Sequence, residues 1–177
     1  MPRRFPTVDL QAPTAPTAES AGGRSLQHLL FAVAVAAASA VFALLEIQIE
    51  GVSGWAGALP TWRVQSAWMR RVLGARDVTG YHVYCQLFVA VMAHLPYLIG
   101  AARPGWATEL RILAFLVFFW ILEDYLWFVF NPAFGPRRFR REAVPWHAAT
   151  WWAFMPRDYW LFLPIGAVLY FMSWHVG

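Results

Sequence analysis

The sequence predicts an all-α integral membrane protein: a four-transmembrane-helix bundle with two long interfacial connections on one face. Three observations carry this expectation. Of 177 residues, 59% are hydrophobic and 14% charged, whereas a soluble domain has about 45–50% apolar and about 25% charged residues. A chain this short leaves much of its surface outside any core, so the apolar excess needs lipid to receive it. Aromatic residues reach 18%, with 11 Trp, as suits a membrane interface where a ring keeps one edge wet.

Residues 1–25 form a segment rich in Pro, Ala and Thr with no apolar period. Such a segment buries too little surface to offset its ordering entropy, so a disordered tail is expected. A four-helix domain over 26–177 follows. Its helices are expected at about 26–47, 81–101, 110–130 and 159–174, since a span needs roughly 20 apolar residues. The last is short and holds Pro164, which predicts a kink or an earlier start. Ala38-Ser39-Ala40 also fits a signal-peptide cleavage site, although the apolar run continues beyond it.

A tight turn around Arg103-Pro104-Gly105 makes an antiparallel hairpin of helices two and three. The other connections, 48–80 and 131–158, are long and rich in Trp and Arg. Within the first, 61–73 fits an interfacial amphipathic helix ended by Gly74. In the second, Pro145 favours a short helix from Trp146, with His147, Thr150 and Trp151 on one face.

All positive charge is Arg, and the net charge is +4. Codon bias accounts for an all-Arg chain simply; guanidinium forks on phosphate are the functional alternative. The charge suits anionic lipid headgroups, and no nucleic-acid motif is present. With four alternating spans, nine of the 14 Arg lie on the long-connection face, including Arg63, Arg70, Arg71 and Arg76. The positive-inside rule then puts that face in the cytoplasm of a multi-pass cell-membrane protein, with both termini outside. The single cysteine, Cys85, excludes an intrachain disulfide and is expected to pack as a small hydrophobe.

Glu123-Asp124 is the most informative feature, because ionised residues inside a span cost about 2.5–3.5 kcal/mol each unless paired, protonated or wet. Trp120, Glu123, Asp124, Trp127 and Asn131 share one helical face, which is expected to point into the bundle. The simpler alternative is an interhelical pair that fixes packing. Glu46 and Glu50 are four apart at the end of helix one; Glu50 is expected to be solvated and Glu46 to be harder to dismiss. His82 and Gln86 share a face at the start of helix two, and His147 lies in the last connection. His94 falls near the opposite face and reads as a packing residue.

The expected site is therefore one-sided: Glu123, Asp124 and His147 as acid–base groups, and Glu46, His82 and Glu123 as ligands to a divalent metal. Arg138, Arg140, Arg141 and Arg157 would bind an anionic headgroup of the substrate. Histidine boxes, Glu-x-x-His, His-Glu-x-x-His, Gly-x-Ser-x-Gly and phosphate-binding glycine loops are all absent from the sequence. Three functions remain open: a membrane enzyme acting on a lipid or isoprenoid-like substrate, an accessory subunit packed on a membrane protein partner, and a proton or ion pathway.

Overall fold

The computed structural model describes residues 18–74 and 76–176, and it is mostly helical. Helix α1 runs over Ala18–Glu50, α2 over Ala67–Leu73, α3 over Gly80–Leu98, α4 over Trp106–Phe130, α5 over Pro145–Ala148 and α6 over Arg157–Met172. Two short ribbons complete it: β1 (Arg63–Val64) pairs antiparallel with β2 (Val78–Thr79), and β3 (Trp151–Trp152) with β4 (Met155–Pro156). Two helical stretches are long and apolar enough to cross a membrane, Gly22–Glu50 and Trp106–Phe130. By contacts the chain divides into a first unit through Val33 and a second over Ala34–Gly177. In the first, the apolar side chains Leu26, Leu29, Leu30 and Val33 are all exposed.

The boundaries follow local chemistry. α1 starts at Ala18, so residues 18–25 are helical and not part of an irregular tail; Ala and Glu are good helix formers. The rest of the expected tail lies outside the described residues. The helix is continuous through Ala38-Ser39-Ala40. Thr79 caps α3, its Oγ1 accepting from His82 N–H at 3.2 Å. That helix stops before the expected 101 because Gly100 turns left-handed, φ 74°, just past its end. α4 begins at Trp106, directly after Gly105, and ends at Asn131-Pro132 as the proline requires. α6 spans 16 residues around Pro164.

The two long connections depart further from expectation. The amphipathic helix is only α2, because the Ser66 hydroxyl accepts from Met69 N–H at 3.1 Å and fixes its start. Residues before Ser66 extend into β1 instead. Beyond α5 the chain does not stay helical; Trp151 enters β3, and Thr150 N–H still bonds His147 O at 2.9 Å.

Three registers position the bundle. Ser39 Oγ donates to Phe119 O at 3.0 Å, and Asn131 Nδ2 donates to Gly51 O at 2.8 Å. Both bonds join positions 80 apart, so the second half of α1 runs parallel to α4. α6 runs antiparallel to α4: Tyr159 meets Asp124, Gly166 fits against Val117 and Phe118, and Arg111 meets Ser173. α3 is antiparallel to α4 across their short connection, where His94 Nε2 lies 3.1 Å from Glu109 Oε1. The principal core sits at the long-connection end. There Ala43, Trp127, Phe128 and Val144 are buried, and the Trp146 ring stacks on Phe128 with centroids 5.8 Å apart.

Candidate functional site

A cavity of about 370 Å³ opens among α1, α3, α4, α6 and both long connections. Helical spacing explains its acidic wall. Glu46 and Glu50, four residues apart, take one face of α1, while Trp120, Glu123, Asp124 and Trp127 take one face of α4, and all six line the cavity. His82 comes from the first turn of α3 and His147 from α5. Glu46, His82, Glu123, Asp124 and His147 therefore share one cavity.

Most of these groups are paired. His147 Nε2 lies 3.2 Å from Asp124 Oδ2, and the Tyr159 hydroxyl donates to the same oxygen. His82 Nε2 lies 3.7 Å from Glu50 Oε1. Its other nitrogen, Nδ1, is 2.6 Å from Thr79 Oγ1, and its ring stacks on Trp55 at 4.2 Å. Glu50 Oε1 also accepts from Ala56 N–H. Arg76 pairs with Asp158, donates from Nε to Leu73 O at 2.9 Å, and lies over the Trp55 ring. Arg76 is the cavity's arginine.

The exception is Glu46 with Glu123. These carboxyls are near enough to interact side chain to side chain, and they are 6% and 4% exposed. One oxygen of each, Oε1, is buried without a hydrogen-bond partner, as are His147 Nδ1 and Trp127 Nε1. Leaving a buried polar atom unpaired costs about 1–3 kcal/mol, so these four atoms, all closed to solvent beside one cavity, store a local cost that a shared proton or a shifted side chain would relieve.

Among the described residues, no three His, Cys, Asp or Glu side chains gather as a metal-ligand group. The expected trio of Glu46, His82 and Glu123 shares the cavity, but His82 is turned to Glu50 and Thr79. The four expected headgroup arginines lie outside it. Arg138 donates to Ala133 O at 2.7 Å, Arg141 to Ala148 O at 3.1 Å, and Arg157 to Val72 O and to Asp158 Oδ1. Arg138 and Arg140 line a separate pocket with Val52, Ala133, Phe134 and Ala143.

Sequence reasoning passed over Glu50, Arg76, Asp158 and Tyr159. Glu50 was expected to be solvated; it is 6% exposed because the turn after α1 brings Ala56 N–H to it. The i, i+4 spacing to Glu46 was the available signal. Arg76 and Asp158 belong to the two different connections, and nothing in their local sequence announces the pair. The chain matches no known protein family, no curated protein and no solved structure.

Proposed function

We propose that this chain is a small four-span membrane enzyme that moves protons on an amphipathic, lipid-like substrate at the membrane interface. In this reading α1, α3, α4 and α6 all cross the bilayer, with the long connections in the cytoplasm. The alternating directions of the four helices support four crossings. Exposed Trp62, Trp68, Trp152 and Trp160 near the long connections, and Trp106 at the other end of α4, support two interfacial belts. The Arg-rich rim, with Arg138, Arg140, Arg141 and Arg157, would rest on anionic headgroups.

One observation carries the enzymatic reading: a carboxylate, an imidazole and a phenol joined in series on the wall of a cavity that Glu46 and Glu123 also line. Asp124 orients the His147 ring through Nε2 and leaves Nδ1 with no partner. A base oriented by a carboxylate is the arrangement that general acid–base catalysis uses. Glu123 and Glu46 would serve as the acid and return the proton. The apolar remainder of the wall, Leu116, Val117, Ile121 and Phe162, would take the substrate's hydrocarbon.

The test compares the lipid composition of host membranes carrying wild-type protein, Asp124→Asn or His147→Gln at equal expression. The reading expects at least one lipid species that changes with wild-type protein alone. Identical lipid profiles for wild type and an empty vector would overturn it.

A further inference from the structure

The mouth of the cavity lies between two helices, not between the two long connections. Among its lining residues only Gln86 of α3 and Phe162 of α6 are exposed; the others are buried or half-buried. α4 packs extensively on α6 and much less on α3, so the gap between α3 and α6 stays open over this part of α4. At the other end the connections are tied together. The Gly54 backbone sits against the Trp146 ring, a Cβ on Gly74 would stand 2.9 Å from Thr150 Cγ2, and Arg76 pairs with Asp158. Trp55, Arg76, Trp146 and Asp158 bound the cavity on that side.

The depth of this mouth fits a lipid. Gln86 follows Gly80, the start of α3, and Phe162 follows Arg157, the start of α6. At 1.5 Å per residue they stand roughly 9 Å and roughly 7.5 Å from the long-connection ends of their helices. The interfacial layer of a bilayer is about 5–7 Å thick on each side. With those helix ends at the membrane surface, the mouth opens just below the headgroups, where a lipid's ester carbonyls meet its chains. Gln86 supplies a polar group there. Its amide takes part in no hydrogen bond among the described residues, and an unpaired amide facing hydrocarbon is costly. A carbonyl or hydroxyl of an entering lipid can pair with that amide, which both donates and accepts. Leu116, Val117 and Phe162 offer an apolar path beside it.

We propose that a bilayer lipid enters the cavity sideways, between α3 and α6, with Gln86 binding a carbonyl or hydroxyl at the base of its headgroup and Phe162 lying against the top of its chain. This rests on the reading of the chain as a four-span enzyme and adds the route of the substrate and a residue that binds it. The lipid's upper part then faces Asp124 and His147, while the far end of its chain stays in the bilayer.

The experiment places the full-length protein in phosphatidylcholine vesicles with a trace of phosphatidylcholine carrying a diazirine beside one acyl carbonyl. After illumination, the sites of attachment are mapped by mass spectrometry. The proposal expects attachment to Leu116 and Trp120 inside the mouth, as well as to Ile165 and Val168, exposed residues of α6 that do not line the cavity. Gln86→Leu should lower attachment at Leu116 and Trp120 about fivefold relative to Ile165 and Val168, as the loss of one hydrogen bond implies. Phe162→Trp, which narrows the mouth, serves as a second variant should Gln86→Leu not elute as wild type does on gel filtration. Attachment at Ile165 and Val168 alone, or attachment at Leu116 and Trp120 that neither variant lowers, would overturn the proposal. That outcome beside a host lipid changed by wild-type protein would leave the enzymatic reading standing. Attachment inside the mouth with no such change would remove the enzymatic reading and keep the route.

Discussion

His147 Nε2 and Asp124 Oδ2 lie 3.2 Å apart, joining α5 to α4 across a sequence separation of 23 residues. His147 is 2% exposed, so its polar atoms have little access to water. Asparagine at 124 removes the charge that the buried His147 ring faces, and glutamine at 147 replaces the ring by an amide that must reach Asp124 from a different stem, with Tyr159 the partner that stays. Each of Asp124→Asn and His147→Gln is expected to lower stability by about 1–3 kcal/mol. The double variant should lose less than the sum, because the second change removes a group already orphaned. Thermal unfolding of the four proteins in one detergent measures the coupling, and strict additivity would show that the pair is not a unit.

Arg76 and Asp158 tie the first long connection to the first turn of α6. Arg76 is 8% exposed and its guanidinium also bonds Leu73 O and covers Trp55. Lysine has neither the planar fork nor the ring-stacking face. Arg76→Lys is therefore expected to cost about 1.5–3 kcal/mol, the range for a hydrogen bond to a charged group, and to expose Trp55. A red shift of tryptophan emission with a lowered unfolding midpoint is the expected result. An Arg76→Lys protein as stable as wild type would show that charge alone suffices there.

What the sequence made legible followed helical periodicity. The face of α4 carrying Trp120, Glu123, Asp124 and Trp127 could be read from i+3 and i+4 spacing, and all four residues line one cavity. Asn131-Pro132 marked the end of α4 because proline forbids continuation. The connections were harder, since their structure comes from contacts distant in sequence. Nothing local shows that Arg63 and Val64 would pair with Thr79 and Val78, or that Arg76 would find Asp158. Glu50 differs from expectation for the same reason: its burial depends on the loop that returns Ala56 to it. Arg138 and Arg141 stand out in the sequence as charges, yet each donates to a backbone carbonyl of its own connection.

At Gly166, α6 packs closely on Val117 and Phe118 of α4. A Cβ there would stand 3.0 Å from Phe118 Cε1 and Cζ and 3.0 Å from Val117 Cγ1. Small residues at helix contacts let backbones approach in membranes, where packing rather than hydrophobicity drives association. Gly166→Ala is expected to cost about 1–3 kcal/mol by overpacking, and Gly166→Leu to separate the helices. Because α6 presents Tyr159 to Asp124, the leucine variant should also disturb the cavity. Unfolding midpoints falling in the order Gly, Ala, Leu would bear this out; no change on Gly166→Leu would contradict the close approach.

Helix directions turn the proposed topology into a labelling experiment. If α1, α3, α4 and α6 all cross, the turn between α3 and α4 lies on the side opposite the connection between α4 and α5. Arg103 and Arg140 mark these two places, and the chain has one native cysteine, Cys85, partly buried in α3. In a Cys85→Ala background, Arg103→Cys should react with an impermeant maleimide in intact cells. Arg140→Cys should react only after the membrane is permeabilised, because positive-rich connections stay in the cytoplasm. The reverse pattern would keep four crossings and invert the orientation. Labelling of both sites from one side would mean that α4 does not cross, which removes the four-span arrangement on which the interfacial cavity depends.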